Sequence, residues 1–240
     1  PELFKEGSEP LLHKSFPVLP GADTSKAITP LAKETNPVPT KPLQIGYRSF
    51  DRQWIIPDSR AIHRAAAPLW AARQENQVYT VELHTQVLKP GPGIVFSSLI
   101  PDYHHFKGSE GGRVLPALHP DGSANLAPKL VSSLEARLGL TIAEQDVLAY
   151  VAAVVSHAGY TSRFAEDLQT PGVRVPITTN ATLWTQAVEL GREVLWAQTY
   201  GSAYSEGTQR PKDNIRFANQ DPRRVVSLSP VTALPEQISY

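Results

Sequence analysis

"QVYTVELHTQVLKPGPGIVFSSLI", residues 77–100, decides the fold class of this chain. Val78, Thr80 and Glu82 alternate with Tyr79, Val81 and Leu83, which is the two-residue period of a strand. "LKPGPG" (88–93) then reads as a turn, and "IVFSSLI" (94–100) leaves it as a largely apolar strand, so the pair forms a hairpin. Upstream, "YRSF" (47–50) and "QWII" (53–56) carry further strand character. Downstream, the Gly-punctuated loop "PDYHHFKGSEGG" (101–112) leads to the short strand "RVLPAL" (113–118).

The period changes after "HPDGSAN" (119–125). "LAPKLVSSLEARLG" (126–139) has helical spacing and a Gly stop, while "TIAEQDVLAYVAAVVSHAGY" (141–160) places Thr141 three residues before Glu144, a capping box ahead of an apolar, buried helix. "TSRFAEDL" (161–168) reads as a short third helix. "NATLWTQAVELGREVLWAQTYG" (180–201) reads as a fourth, with an apolar face of Leu183, Trp184, Val188, Leu195 and Trp196. The expected fold is α+β: an antiparallel β-rich section over about 43–118, then a helical section over about 126–204. Six prolines in residues 9–39, without sustained periodicity, mark residues 1–42 as a linker or strap.

With 240 residues and 41% hydrophobic composition the chain can bury a core without covalent staples. It has no Cys, which excludes disulfides, thiolate metal sites and cysteine catalysis and favours a cytoplasmic setting. No apolar run of about 18 residues and no leader pattern is visible, so a membrane partner is not expected. There is also no Met, and the opening "PELFKEG" suggests a piece of something larger. The formal charge is zero, but residues 41–117 carry nine Lys/Arg against six Asp/Glu, and residues 118–209 five against nine. A neutral domain so divided can still present a basic face.

The catalytic inventory is thin. No Gly-Lys pair is present for a P-loop, the Gly91-Pro92-Gly93 turn lies between strands, and Gly-x-Ser-x-Gly is missing. No carboxylate stands two residues before a Lys, as a restriction-type nuclease centre would need. Asp102, His104 and His105 in "PDYHHF" are the most chemical-looking group and define one alternative, a metal-dependent hydrolase. Adjacent histidines on a loop usually diverge, however, and a metal needs three or four supported ligands. The bland reading makes Asp102 a turn cap and the His rings local packing. An intermediate reading has His104, His105 and Lys107 donating to phosphates or base edges from a Gly-rich loop.

"IGYRSFDRQWIIPDSR" (45–60), with Arg64 just beyond, sets Arg48, Arg52, Arg60 and Arg64 among Tyr47, Phe50, Trp54, Ile55 and Ile56. Guanidinium forks match phosphates and the guanine edge, whereas aromatics in a strand more often build the core beneath. Alternation would turn Tyr47, Ser49 and Asp51 one way and Arg48, Phe50 and Arg52 the other. Asp51 and Asp58 are ready ion-pair partners for Arg52, and composition alone favours structural pairs over DNA readout.

These residues carry a resemblance. "GYRSFDRQWIIPDSR", "PLWAAR", "LIPDYHHFKGSEGGRVLP", "NLAPKL", "DVLAYVAAVVSHAGYTSRFAEDLQTPGVRVP" and "GREVLWAQTYG" resemble the C-terminal specificity region of Type ISP restriction-modification enzymes over roughly residues 43–220. Those are single polypeptides joining a nuclease, a translocating ATPase, an adenine methyltransferase and a target recognition domain. "YRSFDRQWI" also looks like the segment that marks the passage from methyltransferase to recognition domain in related modification enzymes. The resemblance implies that residues 43–240 form a target recognition domain binding double-stranded DNA, with residues 1–42 strapped toward a methyltransferase domain of the same polypeptide. It implies no catalytic or metal-binding residue here and no cofactor in this chain; S-adenosylmethionine, ATP and magnesium would serve the parent enzyme, and Asn36-Pro37-Val38-Pro39 lacks the aromatic of the methylation tetrapeptide. Implied DNA contacts are Arg48, Arg52, Arg60, Arg64, His104, His105, Lys107, Arg113 and Arg174. The family usually continues past "ALPEQISY", so the C-terminal edge is expected to be incomplete. A third possibility is a docking module that orients nuclease or motor without touching bases.

Overall fold

The computed structural model describes residues 42–57, 66–83, 93–102, 104–106, 112–169, 172–199 and 201–203. The Pro-rich strap, Arg60, Arg64, Lys107 and residues 204–240 lie outside the described residues. Strand β1 (Leu43–Arg48) pairs antiparallel with β2 (Asp51–Ile55) as a two-stranded ribbon. The short helix α1 (Ala67–Ala71) precedes a three-stranded antiparallel sheet in the order β4-β3-β5, built from β3 (Tyr79–Leu83), β4 (Ile94–Ser97) and β5 (Gly112–Pro116). Then come α2 (Leu130–Leu138), α3 (Glu144–Ser156), α4 (Ala158–Arg163), a 3-10 turn at Asp167–Gln169 and α5 (Ala181–Gln198). This is the α+β order expected, β section first.

The residues of 77–100 pair as their alternation requires, with Tyr79 opposite Ser97 and Val81 opposite Val95. β3 is central and Tyr79, Val81, Glu82 and Leu83 are all buried, so both of its faces are covered. On one side the core joins Val78, Ile94 and Phe96 to Leu134, Val147, Tyr150, Val155, Trp184, Val188 and Leu195 from the helices. The Tyr150 and Trp184 rings stack at 4.3 Å and 13°. The backbone N–H of Phe96 on β4 donates to Gln198 Oε1 at 2.7 Å, and Ser98 Oγ donates to the Thr199 carbonyl at 3.1 Å. The end of α5 thereby occupies β4's outer hydrogen-bonding side, which protects a strand edge from foreign pairing.

α3 and α5 cross at Gly191. A Cβ built there would stand 1.7 Å from the Ala149 carbonyl oxygen, so only glycine permits this separation of the backbones. Beside the crossing Arg192 donates to Asp146 at 2.6 Å, and the other Asp146 oxygen accepts the Ala143 N–H at 3.2 Å.

Three sequence expectations shift in the helical section. α3 is capped at Ala143 with Asp146 reaching back, rather than from Thr141 to Glu144, because Asp146 is shared with Arg192. The third helix starts at Ala158 instead of Thr161, because the His157 ring accepts the Gly159 N–H and caps it. On α5 the buried stripe is Trp184, Val188, Gly191 and Leu195, while Leu183 is 55% exposed.

Candidate functional site

The ribbon β1–β2 reverses at Ser49–Phe50, with Arg48 opposite Asp51 and a bulge between Gly46 and Arg48. A bulge ends strict alternation, which is why the two-face reading of residues 47–52 fails. Arg48 instead folds onto its own neighbour. Its Cζ lies 4.1 Å from the centre of the Tyr47 ring, its Nη1 donates to the Tyr47 carbonyl at 2.7 Å, and Asp102 stands 3.6 Å away. The guanidinium is thus held by a ring and a carboxylate and is partly open to solvent. The aromatic residues do not build a core beneath it: Tyr47, Phe50 and Trp54 are all exposed, as is Ile56, with Phe50 and Trp54 exposed by about two-thirds (65% and 66%).

What fastens the ribbon is Gly46. Its N–H donates to Ile100 O (3.0 Å), and its carbonyl accepts from Asp102 N–H (2.9 Å) and from His105 Nδ1 (3.0 Å). A carbonyl only accepts, so His105 carries its proton on Nδ1. A Cβ at position 46 would meet Ser97 Oγ at 2.8 Å, so glycine is needed for this approach. Asp102 also accepts the His104 backbone N–H at 2.9 Å, turning the loop as a cap. Asp102 and His105 are therefore spent on the ribbon and its loop. No group of three metal-ligating side chains converges among the described residues.

His105 is 4% exposed and works from beneath the ribbon rather than on its surface. Burial holds its imidazole below the ordinary value; Arg48 adds to the lowering, and the Gly46 carbonyl and Asp102 oppose it. The unfolded chain therefore takes up a proton first as pH falls below 6.5. Stability is full above that pH and is lost as pH drops through the lower folded-state value. Unfolding curves across pH 7 to 4 should show this acid-side loss, at most about 1.4 kcal/mol per pH unit for one proton. His105→Gln should flatten that slope; an unchanged slope would assign the effect elsewhere.

A second group forms around Glu82, which the alternation set on one face with Val78 and Thr80 and which is 2% exposed. One oxygen receives Arg113 Nε at 2.8 Å and Nη2 at 2.5 Å; the other receives the N–H groups of Gly172 at 3.0 Å and Val173 at 2.6 Å. Four donors satisfy the buried carboxylate, as burial of a charge demands. Tyr160 donates to the Arg174 carbonyl at 2.6 Å, and Tyr150 donates to the Pro176 carbonyl at 2.9 Å while accepting the Thr178 N–H at 3.0 Å. The segment 172–178 is thereby pinned along its length. Val173 and Val175 pack inward and Arg174 points out, exposed, on a fixed backbone.

The structure thus gathers Arg48, Arg52, His104 and His105 around the ribbon and its loop, and Arg113 with Arg174 around Glu82. Sequence reasoning missed Glu82 and Gly46. A lone carboxylate in the centre of an apolar strand was the available signal for the first. For the second the signal was a lone glycine in a strand pattern, which marks a bulge or a close backbone approach. An apolar crevice of about 670 Å³ between β5 and α3, lined by Leu115, Leu118, Val147, Val151, Val173 and Val175 among others, gathers no cluster of titratable groups.

The sequence matches the family model described as the Type ISP C-terminal specificity domain over residues 22–232. Comparison with curated proteins gives no match. Similar solved structures include the DrdV–DNA complex determined by cryo-EM (TM-score 0.58, 17% identity, covering 70% of this chain and 17% of that one). The Type ISP enzyme LlaBIII bound to DNA is similar at TM-score 0.52 and 15% identity, over 74% of this chain and 12% of that one. A nuclease-deletion mutant of the Type ISP enzyme LlaGI, in complex with a DNA substrate mimic, gives 0.50 and 18%, over 74% and 15%. At these identities the likeness is one of fold, and this chain spans less than a fifth of each of those polypeptides.

Proposed function

Because the chain belongs to the Type ISP C-terminal specificity domain family, we propose that it is the module that reads a duplex DNA sequence for a restriction-modification enzyme whose methylation and cleavage are carried out by other domains. The observation that carries this reading is the family match over nearly the whole chain. The geometry supports it: Arg174 is exposed on a backbone held by Glu82, Tyr160 and Tyr150, the kind of rigid mount that base readout needs. Arg48 and Arg52 on the ribbon, together with His104, are offered as phosphate or base contacts. Arg113 acts through the Glu82 pair, and His105 through Gly46. The sequence has no Gly-Lys pair for a P-loop, and its Asn36-Pro37-Val38-Pro39 lacks the aromatic of a methylation tetrapeptide, so S-adenosylmethionine, ATP and magnesium are proposed to serve other domains. Their chemistry, and contact with a methyltransferase domain, are proposed for the rest of the enzyme. Among the described residues no helix is long and apolar enough to cross a membrane.

Alanine at Arg174 provides the test. If its guanidinium reads a base, Arg174→Ala should cost about 1–3 kcal/mol at one base pair of the bound site and leave the preference at other positions intact. A phosphate contact would weaken all sequences alike and reduce the salt slope by about one. Titration against single-base-pair variants separates the two, and affinity unchanged on every duplex would remove Arg174 from the interface.

A further inference from the structure

We propose that Phe50 is a stacking wedge whose ring packs into a base step of the bound duplex, an inference that deepens the DNA-reading proposal and rests on it. Half of the exposed large hydrophobics among the described residues sit on one small ribbon (Tyr47, Phe50 and Trp54) or directly follow it (Ile56). Phe50 is at its apex, between the paired Arg48 and Asp51, with φ at 62°. That left-handed position is comfortable for Gly or Asn and strained for a bulky ring. Folding therefore gains nothing from phenylalanine here: the backbone is strained and the ring is 65% exposed. Strain held at a fixed position is a pointer to function.

The ribbon is fixed close to its turn, since Gly46, paired with Arg52, is bonded to Ile100, Asp102 and His105. Its apex is therefore presented as a rigid element. Arg48 and Arg52 flank the turn, one on each strand, so cationic groups stand on both sides of an apolar tip. A flat ring between cations complements a base step between phosphates, and apolar wedges of this kind unstack steps in bent duplexes. An adjoining protein surface would have to place a carboxylate against each cation as well as an apolar site for the ring, whereas any duplex step supplies both phosphates and stacking faces.

The test uses the full chain and duplexes carrying 2-aminopurine at successive positions of the bound site. The wild-type chain should raise the fluorescence at one step. Phe50→Ala and Phe50→Gly should lose that rise and about tenfold in affinity, while Phe50→Trp keeps it. Because glycine relieves the strained φ, Phe50→Gly should be at least as thermally stable as the wild type, which separates loss of the wedge from loss of fold. Binding of duplex without a position-specific rise, or a rise unchanged in Phe50→Ala, overturns the wedge and leaves DNA reading intact. If the Phe50 variants keep their DNA behaviour but lose affinity for another protein domain, the patch is a protein contact and the wedge again fails. A wild-type chain that binds no duplex overturns the DNA reading and the wedge with it.

Discussion

Replacing Gly191 by alanine is expected to destabilise the chain by about 3 kcal/mol, the upper end for an overpacked interior. Alanine gains up to about 1 kcal/mol of helix propensity over glycine, so on an isolated helix the substitution would stabilise. Here the added methyl would lie 1.7 Å from the Ala149 oxygen and 2.4 Å from its carbonyl carbon. Both atoms are backbone, so no rotamer change relieves the clash and α5 must move off α3. That movement would loosen the stacked Tyr150 and Trp184, which join the same two helices. A urea midpoint that falls with an unchanged slope would show the loss as stability rather than altered compactness. A midpoint at or above the wild-type value would contradict the close crossing.

The second large effect is at Arg113. Its removal leaves Glu82 buried with only the two backbone donors from Gly172 and Val173, and because Arg113 is itself 45% exposed, Arg113→Ala should cost about 2 kcal/mol, the cost of an under-satisfied buried acceptor. Adding Glu82→Gln should recover part of this, because a neutral amide needs no countercharge. The cycle of the two substitutions should show a coupling of at least about 1 kcal/mol. Since Glu82 also holds the backbone beneath Arg174, the single Arg113 variant should loosen that segment as well. Unchanged stability together with an altered base preference would instead make Arg113 a direct reader of DNA.

The β-then-α order was legible because the signals that carry it are local. The alternation of residues 78–83 and the helical spacing after residue 126 are each read locally, and β3, β4, α2, α3 and α5 all lie within the stretches that announced them, whereas the turn expected at 88–93 falls almost wholly outside the described residues. The errors fall where one residue serves two elements. Asp146 caps α3 while pairing with Arg192, which moved the cap away from Thr141. The alternation read through residues 47–52 broke at a bulge beside Gly46 and at a turn that no Gly or Pro announces, since the left-handed position is filled by Phe50. The Glu82 group was illegible for a different reason: it joins β3, β5 and residues 172–173, about 30 and 90 positions apart, and no local pattern encodes such a meeting. Family membership was legible because its motifs are long and cover most of the chain.

The functional consequence is a division of labour among the arginines. Arg113 has an internal partner in Glu82, and Arg174 is offered outward by a backbone that Glu82 also holds, while Arg48 is steadied by Asp102 yet stays partly open to solvent. With zero formal charge the domain has little general attraction for phosphates, so binding by the isolated chain should be weak and discrimination must come from a few placed contacts.

The most direct measurement is selection of the chain against a random duplex library at low and then moderate salt, with sequencing of the retained DNA. A domain that reads bases should enrich one short asymmetric site, and the enrichment should survive the higher salt after non-specific binding is lost. Salt-sensitive retention with no enriched sequence would contradict recognition by this chain.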